Sequence, residues 1–168
     1  MDSVDRLLDQ WHRERPDLDV GPMGVIGRLI RIREHLMEAM ARVHKAHGLT
    51  PAGFDVLATL RRAGPPHALS PSALVESTLV TSGTMTHRLD RLEAAGWIER
   101  RPNPEDGRGS VVALTPAGFA LIDHVIADHV AAQHRLLAAL PAPTRARLDA
   151  DLKAWLSGFE TPQEISGD

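Results

Sequence analysis

A chain of 168 residues, 43% hydrophobic and 24% charged, is long enough to bury a substantial core and short enough that nothing forces two domains. It contains no cysteine, which excludes disulfides, thiolate nucleophiles, thiol redox sensing and thiolate metal sites. A formal charge of −3 provides no bulk basic field, so any affinity for nucleic acid has to arise from local arrangement. With no apolar run of about 18 residues and no cleavable apolar leader after Met1, a soluble, cytoplasmic protein without a membrane partner is expected.

The predicted elements are mostly helices. Val4, Leu7, Leu8 and Trp11 recur every three or four positions and Pro16 ends the pattern, which predicts a short amphipathic helix over 2–15. After the connection "PDLDVGP", Met23, Ile26, Leu29, Ile30, Arg33, Leu36, Met37, Met40, Val43 and His47 trace one face of a long helix that Gly48 ends. The stretch "LTPAGF" then occurs at Leu49–Phe54 and again at Leu114–Phe119. In each copy Thr is placed to cap a helix and Pro to occupy its first turn, where the missing N–H costs nothing. The first copy opens a helix through Phe54, Leu57 and Leu60 that closes at Gly64-Pro65-Pro66.

Ser70-Pro71 starts a short helix through Leu74 and Val75, and after a turn Thr81 or Ser82 can cap another, giving helix, turn, helix. In that second helix Met85, Leu89 and Leu92 fall at i, i+4 and i+7 and are predicted to face inward, with Gly96 as the stop. Thr84, His87, Arg88 and Arg91 form a polar, cationic stripe beside them, while Asp90 and Glu93 lie behind. Trp97–Arg101 and the run from Val111 and Val112 to Leu114 read as two strands joined by the loop "PNPEDGRGS", whose tip carries Arg108 two residues from Asp106. The remainder is a helix through Phe119, Ile122, Ile126 and Val130, a break at "PAPT", a helix through Leu148, Leu152, Trp155 and Phe159, and a frayed tail.

Four arginines between Thr84 and Arg101 admit three readings: a solvated surface, an anion site in an enzyme, or a surface that meets nucleic acid. Any one of these arginines alone is most simply a solvated residue. Together with a helix-turn-helix and a basic hairpin tip in the right order, they favour DNA. Arg88 and Arg91 then suit bidentate pairing with guanine in the major groove, and Arg108 suits the minor groove. An enzyme is not expected, because no G-x-S-x-G, Walker or H-E-x-x-H motif is present. Among the nine histidines only His44 and His47 have helical ligand spacing, with no acid or cysteine adjacent, so neither a metal site nor a cofactor is assigned.

The segment "LVESTLVTSGTMTHRLDRLEAAGWIERRPNPEDGRGSVVALTPAG", Leu74–Gly118, resembles the winged-helix core of MarR-type bacterial transcription regulators, and the flanking helices are similar to that family's layout. The resemblance implies a mainly α fold with a small β-hairpin wing, a winged helix-turn-helix and a helical dimerisation region built from both termini. It divides the chain into an N-terminal arm (1–16), a dimerisation helix (20–48), a DNA-binding lobe (49–115), C-terminal dimerisation helices (116–160) and a tail (161–168). It further implies a ligand-responsive homodimeric repressor bound to a pseudo-palindromic double-stranded operator, with a recognition helix over 82–95. Ser70, Thr81, Ser82, Thr84, Thr86, His87, Arg88, Arg91 and Arg108 take the positions that approach DNA, with Asp106 steadying Arg108. His87 stands where Asn is usual in the family. The arm bearing Trp11 and the segment "RPDLDVGPMGVIGRL" resemble the subgroup that answers to urate and related aromatic anions, which makes Trp11, Asp55 and Arg88 the candidate ligand residues. Two rival functions share the same elements: a non-sensing architectural DNA binder and a winged-helix module for protein interaction.

Overall fold

The structure is a computed structural model that describes residues 1–78, 82–103 and 109–160, with the side chains of 82–84 left out. Its elements are α1 (Ser3–Glu14), α2 (Gly21–Ala46), α3 (Pro51–Arg62), β1 (Ala68–Leu69), α4 (Pro71–Ser77), α5 (Ser82–Ala94), β2 (Ile98–Pro102), β3 (Ser110–Leu114), α6 (Pro116–Leu137) and α7 (Ala142–Glu160). The chain divides into two compact units, Met1–Val130 and Ala131–Asp168. No described helix is long and apolar enough to cross a membrane.

In the first unit the core gathers around α3, whose Val56, Leu57 and Leu60 are fully buried against Leu74 of α4, Leu89 of α5 and Ile122 of α6. Truncating any one of these leucines to alanine is worth about 2–5 kcal/mol by the usual cavity cost. The predicted hairpin is present as β2 and β3, but the sheet has three antiparallel strands in the order β1-β3-β2. β1 pairs Ala68 with Ala113 and Leu69 with Val112. Two residues are too few to show an alternation, and that is why this strand is not visible as a pattern in the sequence.

Both "LTPAGF" copies behave as helix starts. The Thr50 hydroxyl accepts from the Gly53 N–H at 3.0 Å and the Thr115 hydroxyl from the Gly118 N–H at 3.0 Å. Thr115 also donates to the Gly96 carbonyl at 2.7 Å, and its N–H donates to the Trp97 carbonyl at 3.1 Å, so the start of α6 is cinched to the turn after α5. The approach is so close that a Cβ on Gly118 would lie 1.8 Å from the Trp97 carbonyl oxygen. Only glycine fits there.

α1 lies on α2 with Val4 buried, packed beside Gly27, and Leu8 packed beside Gly24. Asp2 caps α1 in a reciprocal arrangement with Asp5, and the Arg28 guanidinium from α2 binds both carboxylates, at 2.9 Å to Asp2. The Asp5 N–H first, and Arg28 next, hold the Asp2 carboxyl below its ordinary range.

Where α2, α3 and α6 meet, the buried His44 ring stacks on Phe54 with centroids 4.0 Å apart, and its Nε2 lies 3.2 Å from His129 Nδ1. His44 Nδ1 is buried with no hydrogen-bond partner among the described residues. Burial, then the proximity of His129 and His47, pushes the His44 imidazole down to about 4, and burial lowers His129 as well.

The apolar face predicted for the long helix is largely uncovered in the single chain: Met23, Ile26, Ile30, Leu36 and Met37 are all exposed. In the second unit α7 buries none of its residues, and Leu152, Trp155, Leu156 and Phe159 together line an open apolar groove.

Candidate nucleic-acid interface

α4 begins at Ser70, whose hydroxyl accepts the Ala73 N–H at 3.1 Å, with Pro71 at the first helical position. Ser70 Oγ also lies 2.9 Å from the Ser72 hydroxyl, so it holds the helix start together whatever else it meets. α5 is anchored by Met85, Leu89 and Leu92, which are at most 4% exposed, as their spacing predicts. With those three inward, Thr86, His87 and Arg91 stand exposed and Arg88 is half-buried beside them.

The end of α5 sets the direction of the wing. Gly96 has φ 75°, its N–H donates to the Glu93 carbonyl at 2.9 Å, and the Trp97 N–H donates to the Leu92 carbonyl at 3.0 Å. This is a Schellman closure, which uses the left-handed glycine to turn the chain directly into β2.

β2 then sorts the charges of α5. Arg100 binds Asp90 at 2.6 Å and Glu93 through a second guanidinium nitrogen, and its backbone N–H reaches Glu93 at 3.1 Å. Arg101 pairs with Glu99. The Asp90 contact is the main cause that holds the Arg100 guanidinium more firmly protonated than usual. Two of the four arginines in the 84–101 stretch are thus spent on acids, while Arg88 and Arg91 make no ion pair among the described residues. The result is an exposed helical face of one sign, in a protein whose total charge is negative.

Arg88 and Arg91 also line a cleft of about 440 Å³ with His87, Leu92, Ala95 and Trp97 on one side and Gly48, Leu49, Thr50, Ala52 and Gly53 on the other. Of the three residues expected to meet a small ligand, only Arg88 is in its wall. Trp11 lies on α1 with 40% of its surface exposed, and Asp55 is half-buried on α3. The aromatic ring that shares the cleft with Arg88 is Trp97, which sequence reading treated only as the start of a strand. Its position directly after the Gly96 stop is the signal that marks it, because the closure turns it back over the end of α5.

Thr81, Asp106 and Arg108 lie outside the described residues. Ser82 and Thr84 belong to α5, with side chains outside the described part. Ser70, Thr86, His87, Arg88 and Arg91 therefore make up the described portion of the expected DNA surface.

The chain is similar to known proteins. The MarR family pattern matches residues 47–109, the span from the end of α2 to the start of β3. The HTH-type transcriptional regulator PecS of Dickeya dadantii is 43% identical over 148 residues, covering 88% of this chain and 89% of PecS. The HTH-type transcriptional repressor YetL of Bacillus subtilis is 30% identical over 113 residues, 67% of each chain. Among solved structures, a mutant of E. coli MarR complexed with operator DNA superposes with a TM-score of 0.68 at 30% identity, covering 87% of this chain and 97% of that one. From the three-stranded sheet, the capped helix pair and these similarities together, the chain belongs to the MarR family of winged-helix, DNA-binding transcription regulators.

Proposed function

We propose that the chain acts as a homodimeric repressor that binds a pseudo-palindromic double-stranded operator and leaves it when a small aromatic anion binds. The observation that carries this reading is the sorting of charge on α5: Asp90 and Glu93 are engaged by Arg100, and the half-buried Arg88 and exposed Arg91 are left without an acid partner among the described residues. Two arginines on the exposed face of the second helix suit guanine O6 and N7 in a major groove. Arg108, which falls between β2 and β3 in the sequence, would enter the neighbouring minor groove in this reading, with Asp106 to steady it. The operator complex of the E. coli relative and the repressor name of YetL support it.

Dimerisation is supported by the apolar residues that α2 and α7 each leave exposed. Two recognition helices would then meet successive major grooves about 34 Å apart.

The ligand reading rests on the cleft at Arg88. A guanidinium offers an anion fork and the Trp97 indole a stacking face, and a cation shared between ligand and DNA would link the two equilibria. Trp11 and Asp55 remain the alternative ligand residues through the arm.

A gel shift against the DNA upstream of the protein's own reading frame, at low and moderate salt, tests the whole. A salt-dependent shift that prefers this DNA over random duplex is expected. Equal affinity for both duplexes points to an architectural binder, and no shift at either salt points to a protein-interaction module.

A further inference from the structure

We propose that the chain carries a metal site formed by His47, His124 and Asp128, which takes a single divalent ion of the zinc class. His47 is the C-cap residue of α2, and α6 presents His124 and Asp128 one turn apart at i and i+4, the spacing at which two helical side chains share one ion. His47 Nε2 lies 2.9 Å from Asp128 Oδ2, and His124 Nε2 lies 3.9 Å from the same oxygen. The two imidazoles meet edge to face with centroids 5.3 Å apart, and one ligand atom from each of the three residues lies within 4.8 Å of the others.

A tetrahedral ion with bonds of about 2.0–2.1 Å holds its ligand atoms roughly 3.3 Å apart, so the group is slightly open rather than closed. The adjustment falls on the residue best able to make it. His124 has a side chain 71% exposed and can swing inward, whereas His47, at 18%, is already held in place. Two neutral imidazoles and one carboxylate suit Zn²⁺, with Ni²⁺ and Cu²⁺ as competitors, and do not suit Mg²⁺ or Ca²⁺, which demand oxygen ligands. With three protein ligands, a fourth would come from water.

The nearby His44 does not belong to this set. Its ring is buried on Phe54 and its Nε2 is directed at His129. Spacing along one helix cannot reveal the site, since its first ligand comes from α2 and the other two from α6. The ion would tie the end of α2 to α6 immediately before Gly48, the first residue of the Arg88 cleft.

The test uses the full chain without an affinity tag, stripped with a chelator and then titrated with Zn²⁺ in competition with a chromogenic chelator. Thermal unfolding is followed in parallel with and without Zn²⁺. One ion per chain and a Zn²⁺-dependent rise in Tm are expected. His124→Gln and Asp128→Asn, both at exposed positions and so harmless to folding, should each weaken binding by more than the roughly 10-fold lower limit for losing an outer partner of a metal ligand, and should abolish the Tm rise. The proposal is overturned if the wild-type chain takes up no ion, or if both variants bind Zn²⁺ as tightly as the wild type. Neither readout involves DNA, so the result stands apart from the operator-binding proposal.

Discussion

Arg100 reaches back from β2 to place a guanidinium nitrogen 2.6 Å from Asp90 on α5. Its other nitrogen holds Glu93, so one strand residue neutralises both acids of that helix and leaves its opposite face cationic. The wing therefore contributes to the field of the helix as well as flanking it.

Arg100→Ala should consequently weaken DNA binding although Arg100 itself points at acids. Restored charge on Asp90 and Glu93 would repel phosphates and reduce the salt dependence of binding. Stability should change by less than about 1 kcal/mol, because these pairs are partly exposed and screened. A large fall in Tm with unchanged affinity of the folded protein for DNA would show that the pairs serve folding alone.

Arg88→Ala and Arg91→Ala test base reading directly. Each should cost on the order of 1–3 kcal/mol on the specific operator and less on random duplex. Equal losses on the two duplexes, measured by fluorescence anisotropy, would reassign both residues to phosphate contact.

Gly118→Ala probes the packing of α6 on the turn after α5. Since the new Cβ would meet the Trp97 carbonyl oxygen at 1.8 Å, backbone has to move. A destabilisation of at least about 1–3 kcal/mol is expected from overpacking, visible as a lower midpoint in urea. Gly158→Ala, within α7 and with nothing near the added atom, serves as the control and should leave the midpoint unchanged or slightly raised, since alanine favours the helix.

Stability should fall with acid over a defined window. The fold holds His44 neutral, with an imidazole pushed from 6.5 down to about 4, and burial lowers its partner His129 in the same direction. Below about pH 6.5 the unfolded chain binds protons that the folded chain refuses. This contribution is therefore complete above that pH and is lost progressively towards pH 4. Denaturation midpoints between those values should decline, and His44→Phe, which keeps a ring against Phe54, should remove most of the decline. An unchanged slope in that variant would place the titrating group elsewhere.

Ligand release separates two arrangements of the sensor. With urate as the probe aromatic anion, the reading centred on the Arg88 cleft expects Trp97→Ala to abolish the weakening of DNA binding while Trp11→Ala retains it. In the arm reading, Trp11→Ala or deletion of residues 1–15 blunts release and spares DNA binding. The two single variants, compared in one titration, decide between them.

Much of this protein is local and so is written in the order of its residues. Both "LTPAGF" starts, the inward triplet Met85, Leu89 and Leu92, and the Gly96 stop depend on capping, helical period and a left-handed glycine, all within a few positions of one another. The cationic stripe with Arg88 and Arg91 follows from the same period. Helix-turn-helix and wing, in that order, were legible on these grounds.

What only the tertiary structure decided are the pairings between distant segments. β1 exists because Leu69 meets Val112, Arg88 acquires Trp97 rather than Trp11 as its cleft neighbour, and His47 meets His124 and Asp128 from another helix. Each depends on the packing of elements far apart in the chain, and neither helical period nor turn chemistry carries that information, because both describe a segment's relation to itself. Arg100 shows the difference in one residue: its charge was plain from the sequence, but whether it faced a phosphate or an acid was settled by the strand that folded back along α5.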